Sequence, residues 1–397
     1  MIRITVLFNR LGPYHHARLS SLATRCDLSC VEISSVDQTY QWEKIEGASG
    51  LKRVTLFADA DADLQPRKEM QQRIGVALEE LQPHVIAIPG WSGRAALAAL
   101  LWCRLHHVPA IVMSDSQAID QNRRWWKETI KRCVVEQFSA GLVAGSPHID
   151  YLQKLGMPNR VIFTGYDAVD NQFFRSASDR VRRNATDLRQ NFDLPERYFL
   201  ASNRFIKKKN IPLLLRAYAS YRKYSGGTPW SLVLLGDGEL QSDIIRMREE
   251  LGLVNTVIMP GFKQYNELPL YYGLASAFIH ASTTEQWGLV VNEAMASSLP
   301  VLVSKRCGCA TDLVQCGRNG FTFDPYDVEE LAGLMMKLSS GECDLTTMGK
   351  ISWKIIGGWG TDNFTENFMR AAKAVINAPT NRPTLLDTLI LKGLGLR

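Results

Sequence analysis

The chain has 397 residues, 46% of them hydrophobic and 22% charged, with a formal net charge of +6. That length is too great for one hydrophobic core, and the composition is ordinary for a soluble globular protein, so two domains are expected. The positive charge is mild and scattered: it argues against a nucleic-acid partner, while suiting a phosphorylated substrate or an anionic lipid surface.

In chain order, Met1–Phe8 is too short for a secretory signal and runs into Asn9 and Arg10 without a small-residue cleavage site. No apolar run reaches membrane-spanning length, so a cytoplasmic protein is expected, with peripheral contact at the inner membrane face left open. The apolar runs Ile2–Phe8, Cys30–Ile33, Val54–Phe57, Val85–Ile88, Ala110–Met113 and Gly141–Ala144 are predicted strands. They alternate with predicted helices at Ala17–Thr24, Lys68–Leu81, Arg94–His106 and Trp125–Phe138, which argues a parallel sheet covered on both faces. The polar stretch from Arg175 to Arg189, followed by Asp193-Leu194-Pro195, reads as a linker. Alternation then restarts with strands at Phe199–Ser202, Leu232–Leu235, Val257–Met259, Ala277–His280 and Val301–Ser304. A helix over Asp362–Ile376 comes late, and the tail passes Pro379 and Pro383 into Leu385–Lys392, read as packing on the domains in preference to touching a membrane.

The predicted class is therefore α/β, with two Rossmann-like domains whose parallel sheets face a cleft. The divisions are a first Rossmann-like domain over 1–175, a linker over 176–195, a second Rossmann-like domain over 196–360, and a helix and tail over 361–397 that return to the first domain. Eight cysteines follow no framework; Cys26 with Cys30 and Cys307 with Cys309 lack zinc half-site spacing, so buried reduced thiols are expected.

The chemistry concentrates in Glu285-Gln286-Trp287-Gly288-Leu289-Val290-Val291-Asn292-Glu293. Two carboxylates lie eight residues apart across a junction from a buried strand to a helix over Leu289–Ser298. First-turn amides and the helix dipole suit a phosphate. The two carboxylates suit vicinal hydroxyls, as on a sugar and a ribose, and the combination describes a nucleotide-sugar. A second signal, Ser202-Asn203-Arg204-Phe205-Ile206-Lys207-Lys208-Lys209-Asn210, follows the first strand of the second half. Loops at the carboxyl ends of such strands line the ligand crevice. There Arg204 and Lys209 can hold a diphosphate, one as a fork and one as a point charge, while Lys207 and Lys208 read as solvated.

Other residues divide between roles. His15 and His16, just after the first strand, either contact acceptor or phosphate or sit at a helix start. Asp115 either orients an acceptor hydroxyl or caps a helix. His280 reads as packed, and Asp237 with Glu239 as a turn. Asp59, Asp61 and Asp63 read as a solvated acidic loop. Arg123, Arg124, Lys127, Lys131 and Arg132 with Trp125 and Trp126 fit either a membrane interface or a helix with its tryptophans packed inward, the second being preferred.

The second half resembles the C-terminal domain of family 4 glycosyltransferases, which have the GT-B fold. The resemblance rests on Arg204…Lys209-Asn210, Leu234-Leu235-Gly236-Asp237-Gly238, Pro260-Gly261-Phe262, Glu285…Glu293 and Gly317-Arg318-Asn319-Gly320-Phe321, in order over about 198–325. In the first half Arg124-Trp125-Trp126-Lys127-Glu128 and Gly165-Tyr166-Asp167-Ala168-Val169-Asp170-Asn171 are similar to a bacterial subgroup. Leu11-Gly12-Pro13-Tyr14-His15-His16 replaces the paired-glycine loop usual after the first strand.

The resemblance implies retaining transfer from a UDP- or GDP-linked sugar, with no bound metal and no cofactor. It implies Arg204 and Lys209 on the diphosphate, Glu293 on the ribose and Glu285 on the transferred sugar. It also implies that the amides of Gly288, Leu289 and Val290 cap a phosphate. Gly12, His15, His16 and Asp115 are candidates for an acceptor or phosphate loop. The expected acceptor is a cell-surface glycan or its glycolipid precursor. The rivals are transfer to a small soluble metabolite and a GT-B protein that binds without turnover.

Overall fold

A computed structural model describes residues 1–35, 42–43, 51–58, 65–377, 391 and 393–394. The chain divides into two compact units, Met1–Ala168 with the returning segment from Thr361, and Val169–Gly360.

The first unit runs β1 (Arg3–Phe8), α1 (Pro13–Ala23), β2 (Asp27–Ser34), β3 (Lys52–Phe57), α2 (Arg67–Leu81), β4 (Val85–Pro89), α3 (Arg94–Leu105), β5 (Ala110–Ser114), α4 (Trp125–Val135), β6 (Ala140–Val143), α5 (Ser146–Lys154) and β7 (Ile162–Thr164). Its seven strands are parallel in the order β3-β2-β1-β4-β5-β6-β7. Every residue of β5 and β6 is buried, as continuous apolar strands covered on both faces must be. Glu32 in β2 is a buried exception. Its Oε1 accepts from the Leu11 amide at 2.8 Å and from Arg53 at 2.7 Å, and its Oε2 from Thr55 Oγ1 at 2.8 Å. The carboxylate is thus fully partnered and fixes the loop after β1.

The second unit begins with α6 (Asn171–Arg183) and α7 (Ala185–Asn191). It continues β8 (Tyr198–Ser202), α8 (Ile211–Tyr224), β9 (Ser231–Leu235), α9 (Gln241–Glu250), β10 (Val257–Gly261), α10 (Leu268–Leu274), β11 (Ala277–His280), α11 (Leu289–Ala296), β12 (Val301–Ser304), α12 (Ala310–Leu313), β13 (Gly320–Phe323), α13 (Val328–Ser339) and α14 (Leu345–Ile356). Six parallel strands lie in the order β10-β9-β8-β11-β12-β13. The order reverses between β8 and β11, so the loops leaving those strands part to either side of a crevice.

The stretch expected as a linker, 176–195, is instead largely helical and belongs to the second unit. Asp170 caps α6 by accepting from the Phe173 amide at 2.8 Å, and neither glycine nor proline interrupts 171–191. Phe174 packs edge-on to the Tyr265 and Tyr272 rings, and the buried Ser178 hydroxyl meets that of Ser297 at 3.0 Å. The arginines that made the stretch look like a linker occupy the other faces of a strongly amphipathic helix.

The chain then returns as α15 (Thr361–Ile376). Phe364, Phe368, Ala371, Ala372 and Val375 enter the core beneath β1, β4, β5 and β6 with Val6, Ala87, Ile111 and Leu142. Thr365 Oγ1 donates to Ser21 Oγ of α1 at 2.7 Å. In the tail Leu391 is buried in the core on the other face of the first sheet; the rest of Leu385–Lys392 lies outside the described residues, as do Asp59, Asp61 and Asp63. No described helix is long and apolar enough to cross a membrane. All eight cysteines are free, five of them buried.

Candidate active site

The loop leaving β8 is shaped by the glycines that follow β9. Gly236 has φ 136° and Gly238 φ 151°, and a Cβ on either would strike the backbone of Asn203 or Phe205. That approach lets the Phe205 amide donate to the Asp237 carbonyl at 2.7 Å and the Leu240 amide to the Phe205 carbonyl at 2.9 Å. Gly236-Asp237-Gly238 is therefore a support for the basic loop. Lys207–Lys209 make one 3-10 turn that ends at Asn210 in the left-handed region, φ 57°. The Asn210 amide group donates to the Ala281 carbonyl at 3.2 Å and the Pro325 carbonyl at 2.7 Å, tying this loop to the end of β11.

The loop leaving β11 carries Glu285. Its backbone is pinned where the Gly308 amide donates to the Glu285 carbonyl at 2.9 Å and the Cys309 amide to that of Trp287 at 3.2 Å. The buried Trp287 indole donates to Asn292 Oδ1 at 2.9 Å and packs on the Trp359 ring 5.1 Å away. Gly288, φ 108°, turns the chain into α11, whose first amides at Leu289 and Val290 lie on partly exposed residues.

These two loops bring Lys209 and Glu285 into a direct ion pair. Lys208, expected to be solvated, also reaches Glu285, with its ammonium 3.4 Å from Oε1. Ser282 Oγ donates to Oε2 at 3.3 Å, and His280 Nε2 lies 3.5 Å from the same oxygen. Burial pushes the Glu285 carboxyl up, but Lys209, then His280 and Lys208, outweigh it and hold the pKa well below the ordinary value. His280 is buried, as expected, yet against a carboxylate; burial drives its pKa down against the pull of Glu285, and its buried Nδ1 has no hydrogen-bond partner among the described residues.

Glu293, one turn into α11, has no exposed surface, and the Tyr272 hydroxyl donates to its Oε2 at 2.6 Å. Contact with a ligand from Glu293 requires displacement of the side chains that cover it. Arg204 is half-buried on the same loop as Lys209. Asn319 is buried, donates to the Leu313 carbonyl and accepts from the Gln315 amide, so it shapes the turn that starts β13.

In the first unit Gly12 begins α1, and its amide donates to His15 Nδ1 at 3.2 Å while the His15 ring stacks on Phe8 at 4.1 Å. Burial, then the Arg18 guanidinium, lowers the His15 pKa, so the ring is neutral. His16 Nε2 is buried with no hydrogen-bond partner among the described residues. Asp115 follows β5, and since the next helix starts at Trp125 it caps none. Arg18, which sequence reasoning missed, is a buried cation: it donates to the Tyr166 carbonyl, stacks on the Tyr166 ring at 4.8 Å and lies 3.8 Å from Asp167. Its pattern in α1 looked like any amphipathic helix. His280, Ser282 and Tyr272 were missed as partners of Glu285 and Glu293 for a like reason: an apolar strand or helix pattern hides which polar residue faces a carboxylate.

The tryptophans are not packed inward. Trp125 is 81% exposed and Trp126 43%, because α4 buries only Val134 and Val135 at its far end. Arg123 and Lys131 are engaged by Glu128 at 3.7 and 2.8 Å and Arg132 by Glu136 at 2.8 Å, so Arg124 and Lys127 are the exposed cations beside the rings. Among the described residues no group of three or more His, Cys, Asp or Glu side chains converges as a metal site would.

Residues 183–352 match the family model for group 1 glycosyl transferases. The match covers α7 through most of α14, including both loops of the site. Mannosylfructose-phosphate synthase of Agrobacterium fabrum is 31% identical over 44% of this chain and 38% of its own length. Alpha-monoglucosyldiacylglycerol synthase of Streptococcus pneumoniae is 32% identical over 38% of this chain and 33% of its own. The chain thus spans well under half of the length of these curated relatives. Among solved structures, Anabaena HepE in complex with UDP and glucose aligns with a TM-score of 0.74, at 16% identity over 94% of this chain and 100% of that one. The fold is GT-B: two Rossmann-like domains, each with a parallel sheet.

Proposed function

We propose that this chain is a retaining glycosyltransferase, independent of metal, that moves a hexose-type sugar from a UDP- or GDP-linked donor to a hydroxyl acceptor. The observation that carries the reading is Glu285, a buried carboxylate kept ionised by Lys209 immediately before the partly exposed first turn of α11. Breaking the sugar–phosphate bond puts negative charge on the departing diphosphate and positive charge on the ring. Arg204, Lys209 and the amides of Gly288, Leu289 and Val290 neutralise the first, and Glu285 steadies the second. Lys209 has three donors, so it can keep Glu285 and still reach a phosphate oxygen. Glu293 takes the ribose hydroxyls once uncovered.

The acceptor in this reading is a cell-surface glycan or its lipid-linked precursor; the relative named for making a glucosyldiacylglycerol supports the lipid-linked class. The exposed Trp125 and Trp126 beside Arg124 and Lys127 support peripheral contact of α4 with an anionic bilayer. Flotation with phosphatidylglycerol vesicles is expected to carry the protein upward, and Trp125→Ala with Trp126→Ala to leave it at the bottom; equal flotation of both proteins removes α4 from the membrane.

A thermal-shift screen of sugar nucleotides finds the donor, because a ligand bound to the native state alone raises apparent stability with its concentration. With that donor in excess EDTA, nucleotide diphosphate release should continue and the anomeric configuration of the product should match the donor's. Glu293→Gln should weaken nucleotide diphosphate binding itself. Glu285→Gln should leave that binding nearly intact and lower kcat, since its contact strengthens only as charge develops on the ring. An inverted product sinks the retaining assignment, and loss of turnover restored by manganese sinks metal independence.

A further inference from the structure

The opposite end of the second sheet carries a different concave feature. Glu285 and Lys209 follow the carboxyl ends of β11 and β8; here the residues that enter β8, β11 and β12 join α6, α7 and the start of α14 around a cavity of about 630 Å³. Its wall holds Arg175, Arg182, Arg189, Arg197 and Lys350 against two carboxylates, Asp179 and Glu196. Three positive charges are left over.

The arginines divide by what holds them. Arg175 Nε meets Asp179 at 2.8 Å and Arg182 meets the same carboxylate at 2.9 Å. Arg182 also donates to the Ser297 carbonyl at the end of α11. Arg189 donates to the carbonyls of Pro195 and Leu274, the latter at 2.9 Å, and ion-pairs with no described carboxylate. A carbonyl orients a guanidinium without cancelling its charge, so these contacts fix the forks in place and leave them cationic. Cross-linking of helix ends accounts for Arg182 and Arg189. It does not account for Arg197 and Lys350, which are exposed, lie on separate elements and form no ion pair with the described residues, yet line the same space. Hydroxyls of Ser276, Ser298 and Thr346 add neutral donors to the wall.

We propose that this cavity binds a phosphate monoester, either free in solution or as a lipid headgroup. Fixed guanidinium forks with rim cations and hydroxyls are the donor set that phosphate oxygens need, and the volume falls within the range of small-molecule sites. Such a ligand leaves the crevice at Glu285 open, so the site is independent of the proposed transfer.

The test uses the full chain, the Arg197→Glu, Lys350→Glu double variant and the Lys209→Met variant. The probes are glycerol 3-phosphate in calorimetry and phosphatidic acid vesicles in flotation. Both rim substitutions are on exposed residues, and an unchanged melting temperature confirms that the double variant folds. Wild-type binding of glycerol 3-phosphate that weakens at least tenfold in the double variant, and not in Lys209→Met, establishes the site with a soluble ligand. Flotation is read in the Trp125→Ala, Trp126→Ala background, where α4 makes no contribution; vesicle binding there that is lost on adding the two rim substitutions, with no binding of the soluble ester, establishes it with a lipid headgroup. The proposal fails if neither probe binds, if the double variant binds as wild type does, or if only Lys209→Met loses the ester, which would assign the phosphate to the candidate active site. Stabilisation by the sugar nucleotide should be the same in the wild type and the double variant, so failure here leaves the transferase reading intact.

Discussion

Glu285 stays ionised inside the protein because an ammonium group touches it, and this makes its behaviour with pH predictable. Its folded pKa is depressed, so it contributes stability that is present above the ordinary carboxylate value of 4.5 and lost as pH falls through the lower folded value. Lys209→Met removes the largest opposing charge and lets burial dominate. Lys208 and His280 remain, but the folded pKa should still rise, and the acid limb of kcat/KM should move to higher pH than in the wild type. A pH–rate profile of both proteins with one donor checks this; superimposable limbs would separate Lys209 from the ionisation of Glu285. At this scale the Lys209–Glu285 ion pair joins two residues that the sequence singles out separately by type and spacing. The sequence could not hold the contact between Lys208 and Glu285, because whether a lysine in a run of three is solvated depends on one 3-10 turn and on the left-handed Asn210 that closes it.

The loop elements explain why glycines recur in the motif-bearing half. Gly236 lies where an added Cβ would overlap the Asn203 carbonyl, so Gly236→Ala must push away the loop that carries Arg204 and Lys209. A forced backbone shift of that kind costs about 1–3 kcal/mol, and a loss of roughly 2–4 °C per kcal/mol is expected for a unit of this size. Sugar nucleotide should stabilise the variant less than the wild type. Gly226→Ala, where a Cβ meets open space, serves as the matched control. Calorimetric melting with and without donor reads both effects. Most elements were legible because parallel strands buried on both faces write themselves as apolar runs. The errors have physical causes too: α6 and α7 turn mostly arginine outward and so resembled a linker, β7 is only three residues long, and Gly320 and Thr322 break the apolar run of β13.

Over the whole molecule, the two-unit plan was visible in the restart of alternation near Phe199, whereas the points of passage, after Ala168 and after Gly360, were not. No composition shift marks them, since the chain leaves one core and enters the next within a single extended step. The second unit is contiguous and the first is not. Expression of Met1–Gly360 should therefore leave the apolar faces of β1, β4, β5 and β6 uncovered where α15 lies. Removing that helix takes away the burial of Phe364, Phe368, Met369 and Val375, at about 1.5–3 kcal/mol for each large apolar side chain, a loss comparable to the margin of a typical domain. The expected outcome is loss of the first unit's cooperative melting transition while the second still melts as a unit. Two intact transitions would show that α15 is dispensable.

The same return of the chain sets an order of events at the ribosome. Domains usually complete themselves from the amino terminus onward as synthesis proceeds. Here the nascent first sheet waits, one face covered only in part by α1, until nearly two hundred further residues have emerged and the second unit has had its chance to close. Only when Phe364 and Phe368 leave the exit tunnel can that face be sealed, so dependence on chaperones should centre on the first sheet.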